Sequence, residues 1–297
     1  MNKRILDHYL KFSLYTNPGP YINELVIRLP SDIKQIGALV RMNTIHRTTL
    51  AAGNIGTNAD LKYGDMTRVP WWRQPEDDTL VTAVSMLAEL YRRDARGLVL
   101  DRRVEDKIVV TCRYVAILMA CVLKSKGIPT RVRSGNAPYF EMGELGNVSA
   151  DHWINQYWKE EEERWVTIDA DGMDQRTSFD FFDMPNNVFD FPSKAWLDLR
   201  AGKVDPLRFY NAKPERGPIV ILWSLFYDFH SLMNNEIIYL HKPIYGDPGR
   251  FANMTAKELD KIDNLARLML DPDDNFESLV NIWETEKDFR LLTGALL

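Results

Sequence analysis

The stretch "TCRYVAILMACVLKSKGIPTRVRSG", beginning at Thr111, most constrains what this chain can fold into, because its apolar period changes once, at Thr130. Before that point Val115, Leu118, Met119 and Val122 recur at helical spacing. Thr111 is a suitable N-cap, since its hydroxyl can accept from a free N–H of the first turn. Gly127 fits the position past the last turn, and Pro129 blocks continuation. After Thr130 the residues "TRVRSG", "DHWINQYW" (from Asp151) and "RWVTIDAD" (from Arg164) alternate as half-buried strands do.

Helical patterns flank this unit. One runs from after Asp78 to about Arg93, with Val81, Val84, Met86, Leu87 and Leu90 on its apolar face. The last third is helical again, and Thr255 and Glu258 stand at capping-box spacing. Phe179 to Tyr210 is rich in Phe, Asp, Asn and Pro and reads as a loop packed by its own aromatics. Helices, then strands, then helices, without βαβ alternation, predict an α+β fold. The expected organisation is a helical region over 1–100, a core over 101–178 and a loop-rich, then helical region over 179–297, packed as one unit.

Composition excludes several classes. A net charge of −5 argues against a nucleic-acid partner. Two cysteines in 297 residues argue against a disulfide framework and fit a reducing compartment. "MNKRILDHYLKF" lacks the apolar run of a signal peptide. The longest apolar stretch, from Pro218, carries Asp228, His230 and Glu236 and reads as a buried helix, not a membrane span. The expected location is the cytoplasm.

Cys112 falls in the first turn of the bounded helix, where free N–H groups and the macrodipole favour a thiolate. Arg113 beside it acts in the same direction. Cys121, nine residues on, has neither help and reads as a small core hydrophobe. Taken alone, Cys112 is equally a buried structural thiol. A nucleophile needs a base, and the base an orienting group. Of five histidines, His152 lies in a strand that can face an acid. If "DHWINQYW" and "RWVTIDAD" form a hairpin about the polar run Lys159 to Glu163, a turn centred between Glu160 and Glu161 sets Asp169 directly opposite His152, on the same face. A loop of four or five residues is expected, and a one-residue slip would turn Asp169 away. Cys112, His152 and Asp169 then form a nucleophile, base and orienter.

These segments resemble the transglutaminase-like superfamily: a Cys opening an apolar helix, a "GIP-x-R" exit, a strand reaching Gly135, an "HW" strand and a "WVTID" strand. The "CR", "DHW" and "D-A" details are closer to bacterial transglutaminase-like domain proteins than to animal cross-linking enzymes. The likeness spans about Val109 to Asp171. It implies a papain-like core, with the nucleophile helix packed on a small antiparallel sheet, and acyl chemistry through a thioester. The implied partners are an amide, peptide or acyl-thioester substrate and, for a transferase, an amine acceptor. No cofactor or metal is called for. "DPDDNFESLVNI" (from Asp271) lacks the glycine and final acid of a calcium loop, and Asp228 and His230, two apart on a helix, do not share one face, so no metal site with His241 is expected there. The backbone N–H of Cys112 is the natural first oxyanion donor, and an indole N–H of Trp71 or Trp72 is the candidate second. Trp71, Trp72, Arg113, Asp151 and Trp153 are the residues offered to a substrate. The alternative is a non-catalytic binding or scaffold protein that retains this fold.

Overall fold

The computed structural model describes residues 2–47, 68–73, 75–140, 147–173, 177–211 and 215–291. Helices α1 (Lys3–Leu10), α2 (Ile22–Arg28) and α3 (Ile33–Met42) lead into strand β1 (Thr44–His46). A single turn, α4 (Glu76–Thr79), precedes α5 (Ala83–Arg93). Strand β2 (Ile108–Val110) then feeds α6 (Cys112–Ser125). Strands β3 (Thr130–Ala137), β4 (Ser149–Lys159) and β5 (Arg164–Ile168) follow, then α7 (Pro192–Arg200), β6 (Phe209–Tyr210) and α8 (Pro218–Leu232). The described chain closes with α9 (Pro248–Ala252), α10 (Ala256–Leu268) and α11 (Phe276–Thr285). The class is α+β, with two small sheets.

Local sequence signals account for most boundaries. Thr82 and Ser85 form a capping box that starts α5 at Ala83, so α4 is a separate turn. Thr255 and Glu258 do the same for α10. Gly127 closes α6 at φ +79°, a conformation open to glycine without a Cβ penalty. Thr111 holds the N-cap position of α6, but its hydroxyl makes no capping bond, contrary to the expectation. Every residue of α6 from Cys112 to Lys124 is buried, so the helix is enclosed on all sides rather than on one stripe. The segment expected to be all loop after Phe179 contains α7, whose first turn opens with Pro192, where a missing N–H costs nothing.

The larger sheet has the order β3-β4-β5, antiparallel, with β6 joining β4 in parallel. β5 pairs with β4 from Asn155 to Lys159 and β6 pairs with it at Ser149 and Ala150. Residues 151–154, which include His152, lie between those two pairings. The outer edge of β3 is covered by α8: Asp228 accepts from the Ser134 N–H at 3.0 Å and from Arg133 Nε and Nη2 at 2.8 Å each. An edge so covered offers no template to another strand. The β4–β5 turn holds four residues, Glu160 to Glu163, and Glu163 takes the left-handed conformation at φ 48°. It pairs Asn155 with Ile168, Gln156 with Thr167 and Trp158 with Trp165. The register is therefore two residues from the expected one, and Asp169 lies just beyond β5, diagonal to His152 rather than opposite it. A shift of two preserves the face.

One buried cluster gathers α3, α5, α6, the sheet and the aromatics Phe181, Phe182 and Phe189. A second joins α1, α7, α8, α10 and α11. Each fully buried Leu or Ile in them contributes roughly 1.5–3 kcal/mol. The smaller sheet crosses the expected regional boundary at residue 100, because β1 runs parallel to β2 with His46 beside Val110. No helix among the described residues is long and apolar enough to cross a membrane.

Candidate active site

Strand β2 delivers the chain to the first residue of α6, and this places Cys112 where backbone N–H groups lack intrahelical acceptors. Its side chain is 6 % exposed. The Tyr239 hydroxyl lies 3.2 Å from the sulfur, and the imidazoles of His152 and His46 are close enough for their charge and hydrogen-bonding capacity to act on the thiol. Burial pushes the thiol up, but the charge and hydrogen bond of His152, then those of His46, outweigh it and hold the thiol below its ordinary value. Burial likewise works against protonated His152, and the charges of Asp169 and the thiolate overcome it, raising the imidazole well above its usual range. Both directions favour the charged pair, thiolate and imidazolium, over the two neutral groups. Burial and the thiolate charge keep the Tyr239 hydroxyl protonated, so it donates to the sulfur.

Asp169 is the most fully satisfied group of the site. His152 Nε2 bonds its Oδ2 at 2.8 Å, which leaves Nδ1 for the thiol. Tyr139 donates to the same oxygen at 2.7 Å, and burial beside that carboxylate keeps the Tyr139 hydroxyl protonated. Oδ1 accepts from the backbone N–H groups of Asp171 and Gly172, at 3.0 and 2.9 Å. A side chain at Gly172 would run into the carboxylate. The phenylalanines between Phe179 and Phe189 pack behind this arrangement, with Phe179 and Phe181 edge-on to Tyr139. Cys112, His152 and Asp169 are thus brought together.

The five residues offered to a substrate fare differently. Arg113 is fully buried and turned away from the sulfur: Nε donates to the Ile237 carbonyl at 3.1 Å and Nη2 to the Glu236 carbonyl. It positions the segment that carries Tyr239 and leaves nothing free for a ligand. Trp153, 2 % exposed, packs on Tyr227 and Tyr239 with ring centroids 5.6 and 5.9 Å away. It is core. Asp151 is half-buried and its charge acts on Tyr239 and Tyr227. Trp71 and Trp72 sit on a 3-10 turn, 78 % and 64 % exposed, and pack edge to face on one another at 6.0 Å. Their indoles face solvent rather than the buried thiol, so the expectation of an indole oxyanion donor gives way.

Two members were missed in the sequence. His46 reaches the thiol because β1 pairs in parallel with β2, some sixty residues away in the chain. Its partner Asp171 lies two residues after Asp169, with an oxygen 3.7 Å from Nε2 and Arg41 3.6 Å away on the other oxygen. The short "TIH" run was the available signal, but hairpin arithmetic considers only neighbouring strands. Tyr239 arrives from the segment after α8. His230 and Asp228 stand apart from the thiol: His230 donates from Nδ1 to the Phe226 carbonyl and accepts at Nε2 from the Leu291 N–H. Cys121 is fully buried and its thiol is pushed up to about 12 by burial. Among the described residues no group of three or more His, Cys, Asp or Glu is placed to hold a metal ion.

Comparison with family models, with curated proteins and with solved structures finds no significant match for this chain.

Proposed function

We propose that the protein is a cysteine-dependent acyl-transfer enzyme of transglutaminase-like type, with Cys112, His152 and Asp169 as its triad. The observation that carries this reading is the buried chain from sulfur to imidazole to carboxylate, whose last link measures 2.8 Å. α6, packed on β3 and β4, supplies the nucleophile, and the sheet supplies the base, as a papain-like core requires. The Cys112 thiolate attacks an amide, ester or thioester carbonyl. His152 passes its proton to the leaving group, and Asp169 holds the ring so that Nδ1 faces the sulfur. Water or an amine then resolves the thioester, with His152 as base.

Thiol alkylation by iodoacetamide across pH tests the reading. Cys112 is expected to ionise with a midpoint well below the ordinary value of about 8.5, and Cys112→Ala to remove the labelling without loss of fold. His152→Ala should return the midpoint toward the ordinary value. The sulfur's low exposure and the Tyr239 hydroxyl on it also suit a second reading, a scaffold that has retained the fold. An ordinary midpoint in the wild-type protein would establish that one instead.

A further inference from the structure

Two imidazole–carboxylate pairs, not one, converge on Cys112. His152 and Asp169 form the first, and His46 and Asp171 the second. The two aspartates come from one short run, "DAD", after β5, and the two histidines from different sheets. A single proton transfer from a thiol needs only one base, so the second pair requires its own account.

Position separates the two roles. His152 is 2 % exposed, while His46 retains 20 % of its side-chain surface. A carbonyl must reach the thiol from solvent, and among the groups that act on the sulfur His46 and Tyr239 are the partly exposed ones. Attack forms the C–S bond with the sulfur's electron pair and moves the C=O π pair onto oxygen. The new oxyanion therefore appears within bonding reach of groups that flank the sulfur on its open side. The backbone N–H of Cys112, at the start of α6, is one such donor. Tyr239 and His46 both act on the sulfur in the resting site, but Tyr239 is held as a neutral donor, whereas His46 is paired with a carboxylate. His46 sits beside Val110 at the end of β1, so its ring lies next to that helix terminus.

We propose that His46 is a further catalytic residue, donating its ring N–H to the oxyanion while Asp171 orients the ring. The proposal rests on the acyl-transfer reading. His46 makes a hydrogen bond and transfers no proton. Collapse of the intermediate restores the C=O bond, expels the leaving group with its bonding pair, and takes the required proton from His152. Burial works against a protonated His46, but the charge of Asp171 and then the thiolate outweigh it and raise the imidazole above its ordinary value, which favours the charged donor. A charged donor is worth roughly twice a neutral one. Burial pushes the Asp171 carboxyl up, but the charge of His46 and then that of Arg41, on its other oxygen, hold it below its ordinary value.

The test compares two reagents on the same sulfur. Acylation by p-nitrophenyl acetate builds an oxyanion; alkylation by iodoacetamide does not. Both are followed in single turnover, each at the plateau of that variant's own alkylation–pH profile, so that the thiol is ionised with or without His46. His46→Ala should slow acylation about 100- to 1000-fold, the usual loss for one oxyanion donor, and leave alkylation within about threefold. His46→Gln, which restores a neutral N–H, should recover at least tenfold of the loss. Thermal melts of both variants verify the fold. Equal slowing of both reactions would show that His46 acts only on the thiol and would overturn the proposal, as would unchanged acylation. If wild-type Cys112 is not acylated while it is still alkylated, the acyl-transfer reading itself has failed, and this proposal with it.

Discussion

Asp169→Asn removes one charge from the centre of the site with almost no change of shape. Its amide oxygen can keep the two backbone bonds from Asp171 and Gly172. Its amide nitrogen must then replace Oδ2, which now accepts from both His152 and Tyr139. The tyrosine hydroxyl can rotate to accept. The imidazole can accept only at Nε2, which forces its proton onto Nδ1, the nitrogen facing the sulfur. A ring so fixed cannot take the thiol proton. The lost attraction works in the same direction. An opposite charge at this range moves a buried group by about 1–3 pKa units, each worth about 1.4 kcal/mol. The thiolate population at pH 6 should fall by about tenfold to a thousandfold. Iodoacetamide labelling, read by intact mass, reports that population for Cys112 alone, because Cys121 is fully buried with its thiol held protonated. The deficit should shrink as pH rises and the thiol ionises without the imidazole's help. A folded Asp169→Asn protein that labels within twofold of wild type at pH 6 would refute the assignment of Asp169 as orienter.

Asp228→Ala leaves the Arg133 guanidinium, 4 % exposed, without its carboxylate, and should cost about 3–5 kcal/mol in urea unfolding; Gln156, which still accepts from Nη1 at 2.8 Å, sets the effect toward the lower end. His8 and His230 are both held neutral by burial, at about 4. The unfolded chain binds those protons near 6.5, so stability is full above that value and declines as pH falls from 6 to 4, by at most about 3 kcal/mol per residue. His46 and His152, raised in the folded state, are protonated on both sides of the equilibrium over most of that window and add little. Urea titrations at pH 6, 5 and 4 should show the decline, and His230→Asn should flatten it. A transferase leaves a stable conjugate when the acylated Cys112 is offered a primary amine, whereas a hydrolase releases only free acid; mass spectrometry of the products distinguishes them.

The helix from Cys112 to Ser125, its stop at Gly127 and Pro129, and the capping box at Thr255 were determined by residues within a few positions of one another, and the shared face of His152 and Asp169 by the alternation of two adjacent strands. Such features follow from period and from backbone groups that must find local partners. The actual register was not legible, because it depends on how Glu160 to Glu163 turn without a glycine, and Glu163 absorbs that in a left-handed conformation. Nor was the turning of Arg113 toward the Glu236 and Ile237 carbonyls, which draws it off the thiol it follows in the chain. His46 and Tyr239 reach the sulfur only through the parallel pairing of β1 with β2 and the path of the chain after α8. Contacts between residues sixty or more positions apart leave no periodic trace in the sequence. They are decided when buried surfaces compete for the same space, and that competition is settled only in the folded molecule.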